Sequence, residues 1–196
     1  MSTTNLFVEL IVIGVGTASW LALLGLAALG YDAKFLQKVF SSPAAALPAL
    51  VCVYLLGIVT DRLADGVLQF LRAERKRSRY FATEGESLRQ RAYVLAKSEY
   101  FATQFDYSRS RQRICRGWIL NAAVLAVALN IFLLAHPGVV ARPGRLSAFV
   151  TPMLLLLASG CWLAWEKLAE TELKRIRDQA TLLRELESSH ATPLGS

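Results

Sequence analysis

The sequence predicts an all-α integral membrane protein with four transmembrane helices, a cytoplasmic basic helical hairpin and a C-terminal cytoplasmic helix. Three observations predict it. Of 196 residues, 54% are hydrophobic and only 19% charged, below the quarter usual in soluble domains. The apolar residues gather in four long runs. The excess of positive charge, 22 Lys+Arg against 15 Asp+Glu, lies between the second and third of them. A mean hydropathy of +0.38 agrees. Such a chain is too apolar for a disordered one and too short for most multidomain enzymes.

The first run extends from Leu6 to Leu29, broken only by Glu9 and small polar residues. A spanning helix needs about 20 apolar residues, and this run supplies them. Met1 to Asn5 carry no Lys or Arg, and the run exceeds the core of a signal peptide, so the helix is expected to be retained. The second run, Ala44 to Val59, reaches spanning length with Thr60 to Leu63. Trp118 to Ala135 is the third and Leu146 to Trp165 the fourth. The expected layout is a first transmembrane hairpin in 1–71 (spans near 6–29 and 44–63), the basic hairpin in 72–117, and a second transmembrane hairpin in 118–165 (spans near 118–135 and 146–165). An amphipathic helix at 166–190 and a disordered tail at 191–196 complete it.

Charge sets the orientation. Residues 72–117 hold 12 of the 22 Lys+Arg, and the segment after Trp165 holds five. The other two connections hold two each, Lys34 with Lys38 and Arg142 with Arg145. Positive loops stay cytoplasmic, so both termini are expected inside. Residues 72–117 carry five acids and a net charge of +7, equal to that of the whole chain.

The basic segment reads as helix. Beyond Asp61 the second run turns amphipathic, with Leu63, Val67, Leu68 and Leu71 at helical spacing. Thr83 to Ser87 reads as a turn, with Gly85 at a helix end and a Ser87/Gln90 capping box. From Leu88 to Ala135 there is no proline and one glycine, Gly117. One long helix is therefore expected, its cytoplasmic part reaching roughly 45 Å from the bilayer. After Trp165, Ala169, Leu173, Ile176, Ala180 and Leu183 alternate steps of four and three. Two heptads are short for a coiled coil, so this seam is expected to pack on the hairpin of its own chain.

Ionisable groups at membrane depth are costly and point to function. Glu9 shares a face of the first helix with Ile13, Gly16 and Trp20. It can pair with an arginine or face a water-filled interior. Asp61 and Asp65 lie one turn apart and repel unless a cation sits between them; Arg62 or the start of the third span can supply it. With Asn121 and Asn130, whose amides face nearly opposite sides of the third span, these are the pore or ion-pair candidates. One asparagine is expected to serve the bundle and the other a neighbouring subunit. Arg72, Arg75, Lys76, Arg77 and Arg79, with Arg109, Arg111, Arg113 and Arg116, are candidates for binding anionic lipid, a phosphorylated ligand or an acidic protein. Arg109, Arg113 and Arg116 share one helix face, and Arg111 points elsewhere. The small-residue stripe Gly14, Ala18, Ala22 and Gly25 suits packing in a homo-oligomer.

Enzyme motifs are absent: there is no GxSxG, HExxH or P-loop. Cys52, Cys115 and Cys161 share no metal-ligand spacing, and His136 and His190 complete no cluster. No cofactor, metal or catalytic residue is expected, and no motif points to nucleic acid.

In size and layout the chain resembles the small four-span channel or sensor components of bacterial anti-phage defence systems. The resemblance covers architecture, and it implies an oligomeric pore or membrane effector gated through the basic hairpin. A membrane-anchored sensor or scaffold that recruits an acidic cytoplasmic partner is the alternative. Glu9 on the first of four helices is similar to the carboxylate of small multidrug-resistance exporters, which implies a proton-coupled transporter. The basic segment departs from that pattern, because the exporters have short loops and a shorter chain.

Overall fold

A computed structural model describes residues 3–30, 43–80, 84–97 and 99–191, and among them the chain forms five helices. These are α1 (Thr3–Leu29), α2 (Pro43–Tyr80), α3 (Glu84–Lys97), α4 (Glu99–Ala135) and α5 (Pro143–Ala191). Four carry stretches long and apolar enough to cross a membrane: Leu6–Leu29, Ala45–Leu68, Thr103–Ala135 and Pro143–Glu185. A helix of 24 residues rises about 36 Å, more than the ~30 Å of a hydrocarbon core. The tail at 192–196 lies outside the described residues.

These helices wear their apolar groups outward. Val15, Val51, Leu55, Val127 and Leu156 are exposed, while Glu9, Thr17, Thr60, Asp61 and Asn121 are buried. Water would drive the opposite arrangement; lipid favours this one, since polar groups in it must find partners inside the protein.

α1 packs along both α2 and α4, and α5 lies along another side of α4. The α1–α2 crossing is backbone on backbone. A Cβ at Gly14 would stand 1.9 Å from the Val53 carbonyl oxygen, and one at Gly57 would stand 1.9 Å from that of Leu10. Only glycine fits either position. The α1–α4 contact uses two more: a Cβ at Gly16 would meet the Asn121 amide at 2.6 Å, and one at Gly117 the Ile13 side chain at 2.8 Å.

The ends of the elements have local causes. α1 stops where Gly30 takes φ 94° and its N–H reaches the Leu26 carbonyl at 3.1 Å, a left-handed cap that favours glycine. The same carbonyl accepts a bond from His136 Nε2 at 2.9 Å, tying the end of α4 to the end of α1. α5 opens on Pro143, whose missing N–H costs nothing in a first turn. It then continues without a break, so the fourth span and the C-terminal helix are one element. No glycine or proline intervenes between Gly160 and Pro193.

The long helix expected from Leu88 to Ala135 is instead two. α3 ends at Lys97 and α4 begins at Glu99, with Ser98 outside the described residues. The Arg91 guanidinium lies 5.8 Å from the centre of the Phe105 ring. In a continuous helix 14 residues would separate them by about 21 Å, so α3 folds back toward α4. The gain is a core in which Val94 and Phe105 bury with Ile176 and Ala180 of α5. Tyr93, Leu173 and Leu183 pack around it. The seam on the last helix therefore does close on its own chain. Of the turn expected at Thr83–Ser87, residues 84–87 are helical instead, because α3 has begun by Glu84. Gln90 Nε2 donates to Glu86 Oε1 at 3.1 Å, one turn back, and acids in a first helical turn are favoured by the helix dipole. The partner of α3 in this core is thus α4 together with α5, and not a single long continuation of α3 itself.

Candidate functional site

Where α1, α2 and α4 leave the apolar zone, their charged residues meet. Glu9 and Asp61 are 3% and 8% exposed, so each carboxylate needs compensation. α4 provides it in two steps of its helix. Arg113 Nη1 lies 3.9 Å from Glu9 Oε2. Arg116, one turn further into the span, bonds Asp65 through Nη1 and approaches Asp61 Oδ1 within 3.6 Å through Nη2. The cation required between Asp61 and Asp65 is therefore Arg116, while Arg62 is exposed. Compensation is incomplete. Both Glu9 oxygens, Asp61 Oδ1 and Arg116 Nε are buried without a hydrogen bond.

Beside this network opens a cleft of about 450 Å³ with almost wholly polar walls. Arg62, Asp61 and Asp65 line it from α2, Arg91 from α3, Arg109, Gln112, Arg113 and Arg116 from α4, and Glu172 from α5. Glu172 is held by Arg91 Nη2 at 3.5 Å and by Gln112 Nε2 at 2.6 Å. Burial and the neighbouring Arg109 push the Arg91 guanidinium below its usual pKa, with Glu172 and Asp106 acting in opposition. Five guanidinium groups against three carboxylates leave the lining of the cleft positive.

Deeper in the bundle a polar cluster joins three helices. Asn121 is fully buried. Its Nδ2 donates to the Ile13 carbonyl at 2.8 Å, and its Oδ1 accepts from Trp20 Nε1 at 3.1 Å and Thr17 Oγ1 at 3.0 Å. Thr17 has one hydroxyl proton; given to Asn121, it leaves Thr60 to donate across 2.7 Å. Asn130 faces the other way, as its spacing requires, and meets α5 of the same chain. It donates to Thr151 Oγ1 at 2.9 Å and accepts a bond from Ser147. Both asparagines find partners inside one chain, where one was expected to serve a neighbouring subunit. The reason is that α5 covers the second face.

The remaining candidates separate clearly. Arg111 points away from the cleft and stacks on Tyr107, 4.3 Å from the ring centre. The side chains of Arg72, Arg75, Lys76, Arg77 and Arg79 lie outside the described residues, although their backbone belongs to α2. Of the small-residue stripe, Gly14 is occupied by the α1–α2 crossing. Ala18 is half-buried and Ala22 exposed, and a Cβ at Gly25 would meet nothing within 4 Å. Sequence reasoning missed Arg91, Gln112 and Glu172, which reach the cleft only because α3 folds back and α5 extends past the span. It also missed Thr17 and Thr60, whose signal was a hydroxyl inside an apolar run. Among the described residues no group of His, Cys, Asp and Glu could hold a metal ion. Comparison with known families, curated proteins and solved structures finds no match to this chain.

Proposed function

We propose that the chain is a membrane-anchored sensor whose arginine-lined cleft receives an anionic partner. The observation that carries this reading is the cleft itself, where three helices deliver five arginines to one opening. Arginine is suited to anions because its planar fork pairs two acceptors at once. The 17 Lys+Arg on one side of the spans, against four on the other, favour a cytoplasmic location for the cleft and both termini. A bacterial inner membrane is the setting that fits. The spans act as the anchor, and the α3/α4/α5 core transmits the state of the cleft.

The pore reading has less support. Glu9, Asp61 and Asp65 would concentrate cations at an inner mouth if their charge were free, but each is turned toward Arg113 or Arg116. If the protein self-associates, Ala22 and Gly25 offer the small-residue face. Reconstitution in planar bilayers under a salt gradient tests the reading. The sensor is expected to add no conductance to that of the lipid. A cation-selective current that Glu9→Gln or Asp61→Asn alters would overturn it in favour of a pore.

A further inference from the structure

We infer that the cleft between α2 and the α3/α4/α5 unit is a binding site for a phosphate-bearing ligand, with Arg62, Arg109 and Arg113 as its principal contacts. The inference deepens the sensor reading and rests on it for its consequence, though binding is measured separately from conductance.

Three features favour this ligand chemistry. The first is the state of the charges. Arg116 is held by Asp61 and Asp65, and Arg91 pairs with Glu172. Arg62 and Arg109 stand outside these pairs, and Arg113 reaches Glu9 only at 3.9 Å. The guanidinium groups with donors to spare are thus the ones at the opening. Arg109 and Arg113 are one turn apart on α4, and Arg62 faces the cleft from α2.

The second is direction. A planar carboxylate offers two oxygens in one plane and suits a single arginine fork. Arginines arriving from different helices suit a tetrahedral group with three or more acceptor oxygens, such as a phosphate. The third is lining. A space of about 450 Å³ falls within the range of small-molecule sites, which are mostly apolar. This one is almost wholly polar, and among the described residues no aromatic ring lines it for a base to stack on. A compact polar phosphate compound fits; single-stranded nucleic acid does not.

Two sources could present that phosphate. Arg62 follows the apolar run Ala44–Val59 and Arg113 precedes the run Trp118–Ala135, so the group can belong to an anionic lipid headgroup or to a soluble compound. The full chain in phosphatidylcholine nanodiscs, titrated with inorganic pyrophosphate by calorimetry, addresses the soluble source. Nanodiscs that also contain phosphatidic acid, scored by lipid retained through purification, address the other. Arg62→Gln and Arg109→Gln alter the site without removing a partner of Glu9, Asp61 or Asp65. Arg142→Gln and Arg145→Gln, at the opposite end of the bundle, report general charge attraction.

Saturable pyrophosphate binding, weakened at least about tenfold by Arg109→Gln and Arg62→Gln together but not by the Arg142 and Arg145 variants, supports a soluble ligand. Retention of phosphatidic acid with the same residue dependence, and no pyrophosphate binding, supports a lipid headgroup. In either case Arg109→Lys should bind with intermediate strength, because it keeps the charge and loses the fork. Absence of both activities overturns the inference, as does equal loss in the distal variants. Either result leaves the conductance test of the sensor untouched, so the two readings fail separately.

Discussion

The apolar bundle and the α3/α4/α5 unit obey opposite rules of burial, and the cleft lies where one gives way to the other. In the bundle the centre is polar, with Thr17, Thr60 and Asn121 bonded to one another and the aliphatic groups turned out. In the unit the centre is apolar, with Val94, Phe105, Ile176 and Ala180, and charged groups such as Arg177 and Asp178 are exposed. One helix, α4, belongs to both. The inversion along it is the pattern that a passage from a lipid core, which cannot hydrogen-bond, to water would select. It also explains the crowding of Glu9, Asp61, Arg113 and Arg116 at that level. Charges there can leave water only with a partner, and helix packing brings them together.

If the two regions are built on different principles, they should break independently. The largest effect is expected from Gly14→Leu. The added side chain would begin 1.9 Å from a backbone oxygen of α2, and backbone cannot move aside as a flexible side chain does. Separation of α1 from α2 is expected, with about 3 kcal/mol or more lost from the bundle, read by unfolding in mixed micelles. Gly25→Leu, on the same helix with open space around it, should lose almost nothing. Equal losses would mean that the crossing does not hold the bundle together.

Next in size is Phe105→Ala in the unit. Phe105 is 5% exposed, and loss of a buried ring costs about 3 kcal/mol or more in water. Hydrogen exchange should accelerate through α3 and the end of α5 while the spans keep their protection. Loss of protection throughout the spans would show that the unit and the bundle are one cooperative body.

What was legible in the sequence follows the same division. The four long apolar helices were legible because length and composition are carried by a single segment, and no tertiary knowledge is needed to read them. The ion pairs were legible in part. Spacing showed that Asp61 and Asp65 needed a cation, and the antiparallel start of the third span was a candidate for it. The break between α3 and α4 was not legible. Ala-Lys-Ser-Glu at 96–99 contains no glycine or proline, and Ser is at most a weak start signal without a capping partner. What selects the fold-back is burial of Val94 against residues more than 80 positions away on α5. Arg91 was invisible as a site residue for the same reason.

A smaller effect is expected at the polar centre of the bundle. Asn121→Leu removes the acceptor of Trp20 and Thr17 and the donor to Ile13. In water such a buried loss costs about 1–3 kcal/mol. Within membranes interhelical hydrogen bonds average only about 0.6 and reach about 1.7 kcal/mol. With three bonds involved, a loss near the upper membrane value, about 1.5 kcal/mol, is expected in mixed-micelle unfolding. A value well above it would argue that this centre is wetter, or its polar groups more costly to strand, than in an ordinary lipid-embedded bundle.

The smallest effect is expected where the bundle is most open. Asn130 ties α4 to α5 through Thr151 and Ser147, and it is only partly buried. The apolar part of α5 carries many exposed side chains, including Phe149, Leu156 and Leu163. In lipid these lose little by separating from protein, since tails replace the contacts. Asn130→Leu should therefore cost about 0.6 kcal/mol, and Asn121→Leu two to three times that. The groups stranded by Asn130→Leu are hydroxyls, and Thr and Ser hydroxyls in a helix can turn to the carbonyl one turn back, as Ser159 already does at 2.8 Å. Trp20 Nε1 has no such alternative on its own helix. The ratio of the two losses, measured in the same micelles, therefore reports how rigidly each polar group is placed. Equal losses would make α5 as integral to the bundle as α1. A loss near zero at Asn130 would leave α5 fixed mainly by its far half, through Ile176 and Ala180 in the unit.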